Sequence, residues 1–232
     1  MGIAYNTSIV SDGLVFALDA ANSRSYSGSG LTSFDLVNNI RGTSVGTVGY
    51  GTTNNGYFFF QSASDHISLG NPAVLQGLQI NMTLSCWFNQ RANTQYGTLY
   101  SDYSIVNSHK LVSLLRVDSG SLKYYTTDIN GNYQSVTPTV INNGSWYFVS
   151  VSVSGTLSSP TANIFVNGTT YSYSLSALSN TPFTGNTHCI GGNVHIAEFF
   201  DGKISQVMIY NRALTQQEIK QNYNATKKRY GL

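Results

Sequence analysis

The sequence predicts an all-β protein, an antiparallel sandwich of two sheets with a short C-terminal helix. Short runs with strand-type alternation recur from end to end, and turn residues separate them. One segment near the C terminus has instead the apolar spacing of a helix. At 232 residues the chain has the length of a single sandwich with a full core. We therefore expect one domain over residues 1–232, with its core at about 13–219.

The expected strands are short and lie along the whole chain. They are 14–18, 57–60, 66–69, 82–89, 97–101, 110–117, 122–126, 145–153, 162–166, 169–173, 187–190 and 203–210. Segments 22–56 and 175–185 are rich in Ser, Gly and Asn, and we expect long ordered loops there. In 145–153 the valines fall on one face and the serines on the other. One face is therefore expected to be core and the other wet or lightly covered.

Two local signals place a hairpin and the helix. Asn167-Gly168 stands between two alternating runs, and this pair suits a type I′ turn, in which both central residues need a positive φ. Thr215 followed by Glu218 predicts a capping box, with Leu214 and Ile219 as the hydrophobic staple. The helix is expected at about 216–226.

Charge and hydropathy exclude several kinds of partner. Charged residues make up only 9% of the chain, but Arg212, Lys220, Lys227, Lys228 and Arg229 cluster near the C terminus. Such a basic tail could contact nucleic acid or an acidic membrane, or it could be a solvated helix end that complements the helix dipole. Basic residues elsewhere are scattered, so we expect no nucleic-acid partner. No apolar run of about 18 residues exists, and the start MGIAYNTSIV has no secretory-signal pattern. We expect no membrane insertion.

The two cysteines, Cys86 and Cys189, stand in strand-like contexts about a hundred residues apart. A disulfide needs Cα atoms within about 7 Å, so they could pair only if their strands are neighbours. We expect two buried free thiols, with the disulfide as the alternative.

Three segments together carry a family resemblance. GLVFALDAANSRSYSGSG, WYFVSVSVSG with ANIFVNG, and IGGNVHIAEFFDGKISQVMIYNRALTQQEI resemble the laminin-G-like, concanavalin A-like lectin/glucanase superfamily over about 13–219. Within it, LDAANSRSYSG and NYNATKKRYGL are most similar to stand-alone laminin-G-like domains of bacteriophage structural proteins. The resemblance implies a jelly-roll sandwich, and in many members recognition of glycans or proteins through sheet-end loops or the concave face. The same sandwich hosts lectins, glycosidases and adhesion modules, so the fold does not fix the function.

The acids argue against an enzyme. A glycosidase needs two carboxylates flanking the scissile bond, and the resemblance implies that they would alternate on one strand. The chain has two glutamates, Glu198 and Glu218, and no strand presents alternating acids. The nearest acid to Glu198 is Asp201, in an expected loop. The cysteines and histidines also lack nucleophile or metal-ligand spacing, so we expect no catalysis.

A calcium ion is an open alternative. In the family pattern the closing strand reads Ile-Asp-Glu-Val, whereas here it reads Ile204-Ser205-Gln206-Val207, so a tight site at that place is not expected. The shift in apolar parity there suggests a β-bulge. Possible Ca²⁺ ligands elsewhere are Asp19, Asp65 and Asp201, which could equally be loop carboxylates that accept backbone hydrogen bonds.

Two tyrosine-bearing segments, 122–136 and 94–109, are the expected glycan-binding surface. Sugars offer apolar C–H faces and hydroxyl rims, which aromatic rings and polar loop side chains recognise. The candidate residues are Tyr103, His109, Tyr125, Asp128, Asn130 and Tyr133. The alternatives are a hairpin whose tyrosines are half core, and a protein interface, where tyrosine is also enriched.

These expectations combine into a function. We expect a non-enzymatic protein on the exterior of a virion, as a capsid decoration, head fibre or tail-fibre module. Its partners would be capsid or tail proteins and host-surface glycans, and it would be a homo-oligomer, with a trimer as one option. The alternative is a secreted or cell-surface carbohydrate-binding lectin domain.

Overall fold

The computed structural model describes residues 8–61, 64–92, 95–104, 110–128, 130–178 and 186–232. The strands are β1 (Leu14–Asp19), β2 (Thr32–Phe34), β3 (Arg41–Val45), β4 (Gly49–Gly51), β5 (Tyr57–Phe60), β6 (His66–Gly70), β7 (Met82–Gln90), β8 (Gly97–Ser104), β9 (Lys110–Asp118), β10 (Ser121–Thr127), β11 (Tyr133–Val140), β12 (Trp146–Thr156), β13 (Ser159–Val166), β14 (Thr169–Ser174), β15 (Asn186–Ile190), β16 (Gly192–Asn193), β17 (Glu198–Phe199) and β18 (Gly202–Tyr210). The helix α1 spans Gln216–Thr226, and a 3₁₀ turn follows at Lys227–Tyr230.

The strands form two large antiparallel sheets. Sheet A has the order β14-β13-β12-β7-β18-β5-β4, and β1 also pairs with β18. Sheet B has the order β11-β10-β9-β8-β15-β6-β3-β2. The small hairpin β16–β17 lies apart from both. The predicted all-β sandwich with a C-terminal helix is confirmed.

The core lies between the two sheets and follows the period-2 alternation of the strands. Val149, Val151 and Val153 on β12 are fully buried there, as are Leu115 and Val117 on β9. Burial of a side chain of this size contributes about 1.5–3 kcal/mol relative to exposure. The repeated apolar alternation therefore stabilises the sandwich along its whole length.

Two expectations for the strands are wrong. Segment 22–56 is not one loop, because it contains β2, β3 and β4. Residues 133–140 are absent from the expected strands and were reached only by the hairpin alternative for 122–136, and they form β11 at the edge of sheet B. Pro138 is tolerated there because an edge strand leaves one row of backbone groups unpaired.

The predicted hairpin and bulge are both confirmed. Asn167 has φ 45° and Gly168 has φ 112°, and Val166 pairs with Thr169 across the turn. The register between β18 and β7 shifts between Ile204 and Gln206, where the bulge was expected.

The C-terminal helix is confirmed at Gln216–Thr226 with its capping box. Its apolar residue Ile219 packs with Phe148 and Phe165 on the outer face of sheet A. Ser150 and Ser152 on that face are buried, so the expectation of a wet serine face is wrong there. Ser150 accepts a hydrogen bond from the Ser85 hydroxyl at 2.9 Å, and the hydroxyl of Ser152 donates to the carbonyl of Leu214, just before the helix, at 3.2 Å.

The end of the chain packs on the sandwich through Arg229 and Tyr230, while Lys220 and Lys228 of the basic cluster are exposed. Tyr230 stacks on Trp87 with ring centroids 3.9 Å apart. Arg229 pairs with Asp19 at 2.9 Å, and the Tyr230 hydroxyl donates to Ser205 at 2.9 Å. We call this set of contacts the C-terminal latch. It ties residues 227–230 to β1 and β18, since Asp19 ends β1 and Ser205 lies in the bulge of β18.

Cys86 and Cys189 are free and buried, as expected. They lie on different sheets, Cys86 on β7 and Cys189 on β15. Burial raises the pKa of the Cys189 thiol to about 12. Within the described residues no helix has the length and apolarity to cross a bilayer.

Candidate functional site

The outer face of sheet B carries the candidate site. Leu114 and Arg116 alternate on β9, and Tyr125 on β10 lies opposite Leu114 in the antiparallel register. Their neighbours Leu115 and Tyr124 belong to the core between the sheets. Because successive residues of a strand point to opposite faces, Leu114, Arg116 and Tyr125 project outward.

The β16–β17 hairpin builds a wall over this face. The Ser101 hydroxyl on β8 donates to the carbonyl of Gly192 at 2.8 Å and so fixes the hairpin to the sheet. The ring of His195 stacks on Tyr103, with centroids 5.3 Å apart and an interplanar angle of 23°. Glu198 and Ile196 from this wall line the same hollow as Tyr103 and Tyr125.

The result is a hollow of about 260 Å³, which we call the tyrosine groove. Its polar and aromatic lining comprises Tyr96, Tyr103, Arg116, Tyr125, Tyr133 and Glu198. Leu111 and Leu114 complete the floor. Tyr133 is 57% exposed and Tyr96 is 41% exposed, whereas Tyr103 is buried. The groove therefore has exposed aromatic rings at its rim and an apolar base.

Arg116 lies at the centre of a charged network in the groove. Its Nη1 donates to Glu198 at 2.6 Å, and its Nε lies 2.5 Å from the Asp118 carboxylate. Its Nη2 donates to the second oxygen of Asp118 at 3.1 Å. The Tyr125 hydroxyl donates to the same Asp118 oxygen at 2.6 Å. One guanidinium thus joins both carboxylates and orients a tyrosine.

Aromatic rings flank the same guanidinium. Its carbon lies 4.6 Å from the ring centroid of Tyr96 and 4.4 Å from that of Tyr125. A cation this close to a ring face is attracted by the ring quadrupole. Arg116 therefore holds Tyr125 in place through its ring and its hydroxyl, and it contacts the exposed ring of Tyr96.

Burial changes the pKa values of several side chains in the groove. It raises the pKa of Tyr103 to about 12, with a hydrogen bond to Tyr133 as a further cause. Burial also raises the pKa of Glu198, and Arg116 opposes that shift. Arg116 has its own pKa raised by Asp118 and Glu198, against the effect of burial. Because arginine keeps its proton in proteins, the network holds a permanent cation at neutral pH.

The structure brings together three of the six predicted glycan-site residues. Tyr103, Tyr125 and Tyr133 line the groove. Asp128 accepts hydrogen bonds from the backbone N–H groups of Asn130 and Asn132 at 2.9 and 2.8 Å. Asp128 and Asn130 therefore shape the turn before Tyr133 and are not part of the lining, and those bonds lower the pKa of Asp128. His109 lies outside the described residues.

The three possible calcium ligands all have protein partners. Asp19 pairs with Arg229 in the C-terminal latch, and Asp201 pairs with Arg91 at 2.7 Å. Asp65 is buried and accepts the backbone N–H of Thr47 at 2.6 Å. Among the described residues, no group of three His, Cys, Asp or Glu side chains gathers in a metal-binding arrangement. The calcium expectation stays a prediction.

Sequence reasoning missed Arg116, Glu198 and Ile196. Arg116 and Glu198 are 82 positions apart and meet only because the β16–β17 hairpin folds over sheet B. One signal was present: Arg116 is the single charge within the otherwise apolar or hydroxylated stretch LVSLLRV. A charge in such a strand needs a partner when it is buried.

A second hollow, of about 390 Å³, lies on the outer face of sheet A beside the start of α1. Small polar side chains such as Ser154, Asn163 and Ser172 line it, and Phe165 at its base is buried. Among its described lining residues no aromatic ring is exposed and no side chain is charged. The tyrosine groove has both features and is the better candidate.

Comparison with known proteins decides the family. A family model for the concanavalin A-like lectin/glucanase superfamily, of laminin G type, matches residues 61–220, more than half of the chain. The chain belongs to this superfamily. No curated protein matches the sequence of this superfamily member.

Solved structures share its fold at low sequence identity. A Trypanosoma rangeli sialidase in complex with sialic acid matches with a TM-score of 0.72 and 13% identity, over 95% of this chain and 34% of the sialidase. Domain 4 of a GH43 extracellular arabinanase from Geobacillus stearothermophilus, in complex with arabinotriose, matches with a TM-score of 0.63 and 15% identity. This match covers 91% of this chain and 98% of the arabinanase domain. The botulinum neurotoxin type G receptor-binding domain matches with a TM-score of 0.62 and 17% identity, over 91% of this chain and 51% of the toxin domain. This superfamily member thus spans about a third of the sialidase and half of the toxin domain.

Proposed function

We propose that this chain is a non-enzymatic glycan-binding module and that sugars bind in the tyrosine groove. The observation that carries the proposal is the convergence of four tyrosines on one hollow, with Tyr96 and Tyr133 exposed at its rim. An aromatic ring can cover the apolar C–H face of a sugar, while hydroxyl and carboxylate groups accept and donate hydrogen bonds at its edge.

The charge pairing in the groove favours binding over hydrolysis. A glycosidase needs two carboxyl groups, one of them protonated to act as an acid. Asp118 and Glu198 are instead both paired with the one guanidinium of Arg116. The guanidinium of Arg116 opposes the rise in the pKa of Glu198 that burial causes, and its contacts with both carboxylates leave them engaged with protein partners.

The structural neighbours support this proposal. The sialidase and the arabinanase domain were solved in complexes with sialic acid and arabinotriose, and the toxin domain is a receptor-binding domain. At identities of 13–17% these likenesses concern the fold. They make a sugar the first ligand class to test. The proposed binding uses side chains of the chain itself and no cofactor.

We further place this module on the exterior of a bacteriophage particle, as a capsid decoration, head fibre or tail-fibre module. The support is the resemblance of LDAANSRSYSG and NYNATKKRYGL to phage laminin-G-like domains. These two segments contact each other through Asp19 and Arg229. In this role the module is a homo-oligomer, for instance a trimer, attached to capsid or tail proteins and facing host-surface glycans. Sedimentation with phage particles tests this placement, and recovery only from medium or cell surfaces would favour the runner-up, a secreted or cell-surface lectin.

A glycan array tests sugar binding. We expect the protein to bind a defined set of glycans, and Tyr133→Ala to lower affinity about five- to thirtyfold, since losing one exposed aromatic contact costs roughly 1–2 kcal/mol. The matched control is Val140→Ala, an exposed apolar residue on the same strand outside the groove. Unchanged thermal stability in both variants excludes unfolding as the cause. Absence of any glycan binding would overturn the proposal, as would equal binding by Tyr133→Ala.

A further inference from the structure

We propose that the tyrosine groove selects uncharged sugars over acidic ones, with Arg116 as a positioning residue and not an anion receptor. This inference rests on the proposed function, because it names the class of glycan that the same groove takes. It follows from where the N–H groups of Arg116 point and from the balance of charge around them.

The donors of Arg116 are already engaged. Guanidinium carries five N–H groups. Nε faces one oxygen of Asp118 at 2.5 Å, and Nη1 donates to Glu198 at 2.6 Å. Nη2 reaches both the second oxygen of Asp118 at 3.1 Å and the Tyr125 hydroxyl at 3.1 Å. Three donors thus make hydrogen bonds to the protein, and Nε lies against the Asp118 carboxylate in an ion pair, so no two-pronged face of the guanidinium is open to a ligand carboxylate.

The flat faces of the guanidinium are also occupied. The rings of Tyr96 and Tyr125 lie 4.6 and 4.4 Å from its carbon atom. The side chain of Arg116 is only 11% exposed. A ligand anion could therefore reach this cation only by displacing a tyrosine or a carboxylate.

The neighbouring lysine does not supply a spare charge. Lys123 Nζ lies 3.3 Å from Asp118, which also pairs with Arg116. Across the described residues of this network, the two cations Arg116 and Lys123 balance the two anions Asp118 and Glu198. An acidic sugar would lose hydration of its carboxylate beside Glu198 without gaining an unpaired cation.

The groove offers an uncharged sugar better contacts. Glu198 lines the groove as a hydrogen-bond acceptor, and Tyr133 presents an exposed ring. Leu111 and Leu114 form an apolar base. Hydroxyl donors and C–H faces are common to all neutral sugars, whereas a carboxylate adds only repulsion in this place.

The test compares sugars that differ in charge alone. Uronic-acid and sialyl oligosaccharides are titrated into the protein at pH 7.5 in two forms. One form carries the free acid group, which is ionised at this pH, and the other is its methyl ester, which keeps the sugar and removes the charge. We expect the wild-type protein to bind the esters at least about tenfold more tightly than the acids. In Glu198→Gln the preference should fall to about equal or reverse, because the substitution removes the negative charge that repels a ligand carboxylate and leaves the network with a net positive charge. The control Asp12→Asn removes the same unit charge at a highly exposed position outside the groove lining and should keep the wild-type preference.

The outcomes separate this inference from the proposed function. If the wild-type protein binds free acids as tightly as their esters, and Tyr133→Ala weakens both, glycan binding stands and charge selection is wrong. If no sugar of either charge binds, the proposed function fails and the inference fails with it. The ratio of the wild-type affinities for the esters and the acids tests charge selection by itself, even if Glu198→Gln does not fold.

Discussion

Arg116 determines the shape of the proposed site although its own side chain is largely buried. It pairs with Asp118 on its own strand and with Glu198 on the β16–β17 hairpin, so it fixes the hairpin to sheet B. It also lies against the rings of Tyr96 and Tyr125. Replacing it would therefore change both the wall and the aromatic lining of the groove.

Arg116→Ala should destabilise the fold by about 3 kcal/mol, because it leaves the buried carboxylate of Glu198 without its cation and Asp118 with Lys123 as its remaining cation. Chemical denaturation followed by circular dichroism measures this. The matched control is Arg91→Ala, which breaks the exposed pair with Asp201 and should change stability little. Equal stability of Arg116→Ala and the wild-type protein would show that the network does not hold the groove together.

At the residue scale the sequence predicted the tyrosines of the site and not its charges. Tyr103, Tyr125 and Tyr133 were recognisable because tyrosines near polar turns are typical of sugar-binding surfaces. Asp128 was recognisable as a turn residue, but its carboxylate serves the backbone of its own turn. Glu198 was not recognisable, since its contact with Arg116 depends on how a hairpin folds over a sheet 82 positions away.

At the element scale, α1 shows how local signals combine with tertiary contacts. The Thr215 hydroxyl accepts the backbone N–H of Glu218, and the Glu218 carboxylate accepts the backbone N–H of Thr215 at 2.8 Å. Arg212 also donates to Glu218 at 2.6 Å. The helix start is therefore fixed both by its own capping box and by the end of the preceding segment.

The capping box should make stability depend on pH. The Arg212 hydrogen bond, with those of Thr215, lowers the pKa of Glu218 to about 2 from an ordinary value of 4.5. A lowered pKa means that the ionised form stabilises the fold above pH 4.5 and that this stability is lost as the pH falls towards 2. Between pH 7 and pH 2 the free energy of unfolding should fall by about 1–2 kcal/mol less in Glu218→Gln than in the wild-type protein, allowing for partial exposure of the pair.

Denaturation curves between pH 7 and pH 2 measure the difference between Glu218→Gln and the wild-type protein. Gln217→Ala is the matched control on the adjacent exposed position and should keep the wild-type slope. Parallel curves for wild-type and Glu218→Gln would contradict the assignment of this carboxylate.

Elements were predictable wherever a short-range signal specified them. The helix, the Asn167-Gly168 hairpin and the bulge on β18 each have such a signal, and each is present. The short strands β2, β3 and β4 have none, because three to five Ser- and Gly-rich residues carry no measurable alternation. β3 and β4 pair with the edges of β6 and β5, and β2 then pairs with β3.

At the scale of the whole molecule, the two sheets have different outer faces. The outer face of sheet A receives α1 and, through Trp87 and Tyr230, the end of the C-terminal latch. The outer face of sheet B is only partly covered by the β16–β17 hairpin and carries the tyrosine groove. The latch side closes the sandwich, and the groove side is open for a ligand.

The most direct test of the central claim locates a bound sugar on this surface. Backbone and tyrosine-ring NMR resonances are followed while a neutral oligosaccharide, selected from the array, is titrated into the wild-type protein. The account predicts shifts at Tyr96, Tyr103, Tyr125 and Tyr133, with none at Ser154, Asn163 or Ser172 in the hollow on sheet A. Shifts confined to the sheet A hollow, or no shifts with any sugar, would contradict it.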